Sequence, residues 1–250
     1  MAHFPWQYPV LTLAGTLAGF LNVMAGGGSL LTLPLLIFMG LPAAVANGTN
    51  RIAIFSQNIF AIGGFRRQGI FPARLALLCT VPALAGSYLG ARLAVNIDDA
   101  LFKRLLAAIM VGVLVLTVVD PVRRWKKQVE GSTPLRTAVL LVSFFGVGVY
   151  GGFVQAGVGF IIISSLLVHG FDLVRINAVK VIVVFSFTLI ALGVFISHGQ
   201  VDYGLGLALA AGNSIGGLVA SHVAVKKGHD WIKKVVTVTV LIFAIKLFFG

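Results

Sequence analysis

Apolar stretches separated by short polar breaks run along almost the whole chain. They cover residues 8–24, 29–39, 42–63, 71–93, 100–119, 135–152, 157–169, 173–197, 203–223 and 231–249. A helix needs about 20 residues to span a bilayer, and segments 29–39 and 157–169 are too short for a full crossing. We expect each of these two segments to cross part of the bilayer or to form a re-entrant hairpin with the segment before it. The pattern therefore predicts an all-α integral membrane protein.

The composition excludes several soluble classes. Hydrophobic residues make up 58% and charged residues 10% of the chain, with a mean hydropathy of +1.02, against roughly 45–50% and about 25% in soluble proteins. This excludes a soluble enzyme, a nucleic-acid-binding domain and a disordered chain. The net charge of +12 is typical of Lys and Arg in cytoplasmic loops.

Cys79 is the single cysteine, so no disulfide framework is expected. Residues 1–10 carry no Lys or Arg, so we expect no cleaved signal peptide.

An internal repeat aligns the second half of the chain with the first at a constant offset, without gaps. Its matched positions include Gly27 and Gly157, Gly40 and Gly170, Asn47 and Asn177, Gly86 and Gly216, and Lys103 and Lys233. The repeat predicts two transmembrane units of about five helical segments each, residues 8–119 and 135–250. A basic cytoplasmic linker, residues 120–134, joins them.

The placement of basic residues predicts opposite orientations for the two units. Residues 64–74 carry three arginines, whereas the matching 194–204 carry no Lys or Arg; conversely, 223–234 carry four lysines, whereas 93–104 balance two basic against two acidic residues. Because basic loops prefer the cytoplasm, equivalent loops are expected on opposite sides of the membrane. We therefore predict a multi-pass protein of a bacterial-type inner membrane, built as an inverted-topology repeat. Each half then has three crossings plus a hairpin, or five crossings.

Gly-rich breaks precede both short segments. Residues 25–29 read Ala-Gly-Gly-Gly-Ser, and residues 155–159 read Gln-Ala-Gly-Val-Gly. Unpaired N–H groups at a helix start bind anions readily, and inverted-repeat transporters place substrate sites at such interruptions. The alternative is that these glycines allow close helix packing.

Two basic residues lie deep within predicted segments. Arg51 is nine residues into its segment and Lys180 is seven residues beyond Leu173, which places both roughly 10–13 Å deep. A charge at that depth normally faces a cavity or a partner, and the acidic residues all lie near segment ends. We therefore expect a substrate anion as the counter-ion. The alternative is that both snorkel to an interface or pair with helix C-terminal carbonyls.

Other polar side chains complete the predicted site. The predicted substrate-binding residues are Gly27, Gly28, Ser29, Asn47, Thr49, Asn50, Arg51, Gln155, Gly157, Asn177 and Lys180. His198 is a candidate for proton coupling, with a plain interfacial histidine as the alternative. No metal-ligand spacing, catalytic constellation or P-loop is present in the sequence, so we expect no cofactor, no metal site and no enzyme activity.

The first Gly-rich region also resembles a known family. Gly26-Gly27-Gly28-Ser29, followed by Pro34-Leu35-Leu36, Gly40 and Asn47-Gly48-Thr49-Asn50, resembles the sulfite exporter TauE/SafE family, also called the 4-toluene sulfonate uptake permeases. The resemblance covers essentially the whole chain and implies a permease for sulfite, thiosulfate, sulfonates or related anions. In the second half, Ala178-Val179 replace the Gly-Thr pair, so the two half-sites differ chemically.

Together these features predict a secondary permease for a small sulfur-containing anion, working by alternating access. Coupling to H⁺ through His198 or through the substrate itself, and Na⁺ binding to carbonyls at broken helices, are alternatives for the energy source. An anion channel and a non-transporting membrane scaffold are the rival functions. The expected partners are the sulfur anion and membrane lipid, with no nucleic acid; homo-oligomer formation is left open.

Overall fold

The computed structural model describes residues 4–119 and 134–249, and all regular secondary structure in this part of the chain is helical. The helices are α1 Gln7–Met24, α2 Ser29–Phe38, α3 Ala43–Arg67, α4 Ala73–Val95, α5 Asp99–Val119, α6 Pro134–Val154, α7 Val158–Val168 and α8 Leu173–Ser197. A last helical stretch, Tyr203–Phe249, is interrupted at Gly228, where φ is 73° and ψ is −166°. It therefore forms two helices, α9 (Tyr203–Gly228) and α10 (229–249). The predicted linker, 120–134, lies outside the described residues except for Pro134.

Local sequence sets where these helices begin. Pro42 and Pro72 directly precede α3 and α4, and Pro134 is the first residue of α6, a position where the missing N–H is not needed. Asp172 precedes α8 and accepts a hydrogen bond from the backbone N of Arg175 at 2.9 Å, as N-cap side chains do. The all-α prediction is confirmed, and the predicted segments match the helices to within a few residues.

Four of the described helices are long and apolar enough to cross a membrane: Ala73–Val95, Pro134–Val154, Leu173–Ser197 and Tyr203–Gly228. α3 is also long, at 25 residues, but Asn, Gln and Arg side chains interrupt its apolar sequence. The polar side chains in the middle of α3 are buried, namely Asn47, Asn50, Arg51, Gln57 and Asn58. α2 and α7 have 10 and 11 residues and are too short to span a bilayer.

α1 and α2 form a helical hairpin. The chain reverses at residues 25–28, where Gly26 has φ of +88°. Gly28, at the start of α2, lies against the carbonyl of Ala18. At the other end, Gln7 at the start of α1 donates to the carbonyl of Met39, just past α2, at 3.5 Å. α2 therefore runs back along α1, as expected for a re-entrant hairpin.

The corresponding helices of the two halves run antiparallel. α3 and α8 occupy equivalent positions in the repeat, and each has 25 residues. The Arg51 guanidinium near the start of α3 lies 4.7 Å from the ring centroid of Phe195 near the end of α8. Midway along the two helices, Phe55 stacks on its repeat equivalent Phe185 with ring centroids 5.0 Å apart. α3 and α8 therefore run in opposite directions where they cross, and the inverted repeat of the two whole halves stays a prediction.

α6 and α7 form the second hairpin, and each of the two hairpins, α1–α2 and α6–α7, packs against the other half. α1 packs on α9 and α6 packs on α4. Both interfaces use glycines at which a Cβ would collide with the neighbouring helix backbone, the small-residue packing typical of membrane helices. These are Gly15, Gly19, Gly212 and Gly216 between α1 and α9, and Gly86, Gly90, Gly148 and Gly152 between α4 and α6. Each hairpin is therefore held against a long helix of the opposite half.

Candidate functional site

A narrow polar pocket lies between the two halves, at the tips of both hairpins. It is small, and the enclosed space in it is about enough for one water molecule. Its lining comes from both halves: Asn22, Ser29, Gln57, Asn58, Gln155, Val158, Gly159, Lys180 and Val184. Most of these side chains are polar, and Lys180 is the charged one.

The N-terminal ends of both short helices reach this pocket. α2 begins at Ser29 and α7 begins at Val158, and both residues line it. The hairpin tips touch where Gly26 meets Gly159, since a Cβ on Gly159 would stand 2.3 Å from the Gly26 Cα. Some of the first N–H groups already donate to carbonyls of the Gly-rich breaks, Leu30 to Gly27 and Phe160 to Gly157, both at 3.0 Å. The amino end of each helix nevertheless carries a partial positive charge. Two positive helix ends therefore converge on one pocket.

Lys180 caps the carboxyl end of α1. Its Nζ donates to the carbonyls of Asn22 and Val23 at 3.0 and 2.6 Å, and to Oδ1 of Asn177 at 2.7 Å. The Nδ2 of Asn177 donates in turn to the carbonyl of Met24 at 3.3 Å. A cation is favourable at this position because the carboxyl end of a helix carries a partial negative charge. Lys180 thus joins α8 of one half to α1 of the other.

Arg51 caps the carboxyl end of α6 in the corresponding way. Its Nη1 donates to the carbonyl of Gly151 at 3.0 Å, and its Nη2 to that of Gly152 at 2.6 Å. Nη2 also lies 3.5 Å from Oδ1 of Asn47, whose Nδ2 donates to the carbonyl of Phe153 at 2.7 Å. Arg51 is fully buried and does not line the pocket.

These contacts correct one step of the sequence argument. We expected Arg51 and Lys180 to lack protein partners because no carboxylate lies near them in the sequence. The structure instead pairs both with helix C-terminal carbonyls, which was the alternative. Asn47 and Asn177, expected to donate to an anion, also donate to main-chain oxygens. The sequence does not reveal these partners, since they belong to the backbone of the opposite half. A role of these residues in substrate binding stays a prediction.

Most of the remaining predicted residues lie at the hairpin tips, but Thr49 and His198 do not. Asn50 is held within the first half, accepting from Thr32 at 2.7 Å and donating to Ser29 at 3.3 Å. Thr49 instead accepts from the backbone N of Asp202. Gln155 lines the pocket and donates to Thr188 at 2.5 Å. Gly27, Gly28 and Gly157 form the two hairpin breaks. His198 is exposed at the end of α8 and does not line the pocket.

Sequence reasoning missed three polar side chains of the pocket, Asn22, Gln57 and Asn58. The Gln57 Oε1 accepts from Asn22 at 3.2 Å and from Asn213 at 3.3 Å. Its Nε2 makes no hydrogen bond within residues 4–119 and 134–249. A signal was available in the sequence, because Gln57 lies two helical turns after Asn50 and so on the same face of α3.

Comparisons with known proteins agree with this architecture. The family model for "Sulfite exporter TauE/SafE" matches residues 11–247. A "Probable membrane transporter protein" of Haemophilus influenzae is 26% identical over 239 residues, covering 95% of this chain and 93% of the relative. "Probable membrane transporter protein ORF9" of Sinorhizobium sp. is 28% identical over 242 residues, covering 95% and 90%. "Probable membrane transporter protein YfcA" of Escherichia coli K12 is 25% identical over 246 residues, covering 98% and 91%.

No solved structure shows a significant match to this chain. The family match spans nearly the whole sequence. The three bacterial relatives are named as membrane transporters, and the alignments cover 90–93% of their length. The long apolar helices are consistent with several passes through a membrane. The chain therefore belongs to the sulfite exporter TauE/SafE family, and it is a multi-pass membrane transporter rather than an enzyme.

Proposed function

We propose that the protein is a secondary permease for a small sulfur-containing anion such as sulfite, thiosulfate or an organosulfonate. The observation that carries this proposal is the pocket between the halves, where the amino ends of α2 and α7 meet beside Lys180. The family name supports sulfite or a related anion as the substrate.

The charges around the pocket favour an anion. Each helix amino end contributes about +0.5 elementary charge, and the carboxyl end of α1 contributes about −0.5. With the ammonium of Lys180, the local balance is about +1.5 charges. No carboxylate from the described residues lines the pocket. A mono- or divalent anion therefore neutralises a site that is otherwise positive.

Hydrogen bonds from polar side chains orient the anion in the pocket. Ser29 offers a hydroxyl, and Gln57 and Asn58 offer amide groups that line the pocket. Sulfite and sulfonate oxygens accept hydrogen bonds from such donors. In this proposal the anion accepts from Ser29 and Gln57, and Lys180 contributes its charge from the pocket wall, beside Gln155. Asn47, Arg51 and Asn177 hold the hairpin tips in place around the anion.

The antiparallel crossing of α3 and α8 supports alternating access. In this proposal residues 64–74, 120–136 and 223–234 lie at the cytoplasm, because basic residues favour that side. Each half then contributes one hairpin that enters and leaves on the same side, and three crossings. Rocking of one half, 8–119, against the other, 135–250, exposes the shared pocket to each side of a bacterial-type inner membrane in turn.

Uptake of labelled sulfite, thiosulfate and methanesulfonate into proteoliposomes tests the proposal. We expect saturable uptake and counterflow with at least one of these anions. Lys180→Met should abolish most of the uptake, whereas Lys226→Met, at an exposed site on α9, should preserve it. Uptake that does not saturate and shows no counterflow would establish a channel. A purified protein that neither binds nor transports any of these anions would support the scaffold function.

A further inference from the structure

We propose that Lys180 and Arg51 are built-in replacements for coupling cations, so that anion transport by this protein does not require Na⁺. The inference rests on the proposed function, because it concerns how that site is charged. In inverted-repeat transporters, the carboxyl ends of broken helices and unwound carbonyls bind Na⁺. Here the two corresponding helix ends already hold a cation that belongs to the protein.

The oxygen cage at the end of α1 is saturated by Lys180. An ammonium group has three N–H donors, and Nζ meets three oxygens at 2.6–3.0 Å, two of them main-chain carbonyls. The side chain is 2% exposed. No donor of this ammonium is left over, and the oxygens that a metal cation would use are engaged.

The end of α6 is occupied in the same manner. The Arg51 guanidinium contacts the carbonyls of Gly151 and Gly152 and is covered on one face by the ring of Phe195. A planar, permanently charged group suits two adjacent carbonyls better than a point charge does. Both broken helices therefore end on a tethered positive charge.

The repeat does not explain this similarity. In the alignment of the two halves, Lys180 corresponds to Asn50 and Arg51 corresponds to Val181. The two caps are thus built from non-equivalent positions on α8 and α3, although Asn47 and Asn177 in the same caps are equivalent. Both halves therefore have a cation at this helix end, but the two cations did not arise from one ancestral position by the duplication.

The consequence concerns charge balance during transport. A bound Na⁺ would add to the positive charge of the pocket, which the incoming anion already has to neutralise. With tethered cations, the anion alone brings the pocket close to neutrality, and the positive charges stay with the protein when the anion leaves. Any coupling by Na⁺ gradients is then unnecessary.

The first test compares uptake in Na⁺ with uptake in N-methyl-D-glucamine at equal ionic strength. We expect equal initial rates of sulfite or methanesulfonate uptake in the two salts. A loss of roughly tenfold or more without Na⁺, equivalent to about 1.4 kcal/mol, would overturn the inference. Absence of uptake in both salts would instead refute the proposed function, and the second test does not depend on uptake.

The second test removes the tethered cation and supplies a free one. Lys180→Ala leaves the oxygens of Asn22, Val23 and Asn177 without their ammonium. Methylammonium or Na⁺ should then raise the thermal unfolding temperature of the purified variant by about 2–4 °C or more. The native protein and Lys226→Ala should show no such shift. Lys180→Met should also show none, because the Met side chain fills the space. If neither cation stabilises Lys180→Ala beyond these controls, the inference is wrong.

Discussion

The contact between the two hairpin tips offers the sharpest test of the described architecture. A Cβ added to Gly26 would stand 2.4 Å from the backbone of Gly159, so the tips would have to separate. Gly26 also has φ of +88°. Gly26→Ala therefore combines a left-handed backbone penalty of about 1–2 kcal/mol with an overpacking penalty of about 1–3 kcal/mol. We expect it to lower the free energy of unfolding by about 2–5 kcal/mol.

Three matched alanine variants separate the two penalties. Gly40 has φ of +97°, but no atom lies near the position that a Cβ would take, so Gly40→Ala should cost about 1–2 kcal/mol. Gly159→Ala has the collision with normal φ and should cost about 1–3 kcal/mol. Gly193 lies in α8 with open space around it, and Gly193→Ala should stabilise by up to about 1 kcal/mol.

Equilibrium unfolding in mixed detergent and SDS micelles measures all four variants on one scale. Gly26→Ala should be the least stable, with a loss close to that of Gly40→Ala and Gly159→Ala together. If Gly26→Ala is no less stable than Gly40→Ala, or if Gly159→Ala equals Gly193→Ala, the hairpin tips do not meet as described. Because Gly159 lines the pocket, its substitution should also reduce anion uptake.

Three further predictions concern single side chains. Arg51→Lys should lower the free energy of unfolding by about 1–3 kcal/mol, because one carbonyl at the end of α6 loses its partner. The affinity for the anion should not change, since Arg51 lies outside the pocket. Gln57→Leu should weaken anion binding roughly tenfold by removing a pocket donor, as measured by isothermal titration. It should also lower the free energy of unfolding by about 1–3 kcal/mol, because the side chains of Asn22 and Asn213 lose their acceptor. Asp99→Ala should destabilise the protein by about 0.5–2 kcal/mol, as measured by thermal unfolding. The reason is that the backbone N–H of Ala43, the first residue of α3, donates to Oδ1 of Asp99 at 2.6 Å.

A specific result would contradict each of these three predictions. A loss of anion affinity in Arg51→Lys at unchanged stability would place the guanidinium in the binding site. Unchanged titration curves for Gln57→Leu would remove its amide from the anion contacts. Equal melting temperatures for Asp99→Ala and the native protein would show that this carboxylate does not hold the start of α3.

Much of the fold follows from local properties of the sequence. Apolar length defines a membrane helix because a bilayer has a fixed thickness, so the helices and the two short segments are found close to their predicted limits. The internal repeat pairs α3 with α8, and the distribution of Arg and Lys predicts their opposite orientation. These features need no knowledge of which helices touch.

The candidate site depends on contacts between residues far apart in the chain. The sequence alone determined that Arg51 and Lys180 are buried cations without a carboxylate nearby, and that glycines break two helices beside them. Only the tertiary structure decided what the cations contact, because main-chain carbonyls carry no sequence signature and become acceptors only where a helix ends. The same is true of Asn22, Gln57 and Asn58, whose shared pocket exists because the two halves bring the tips of their hairpins to one place.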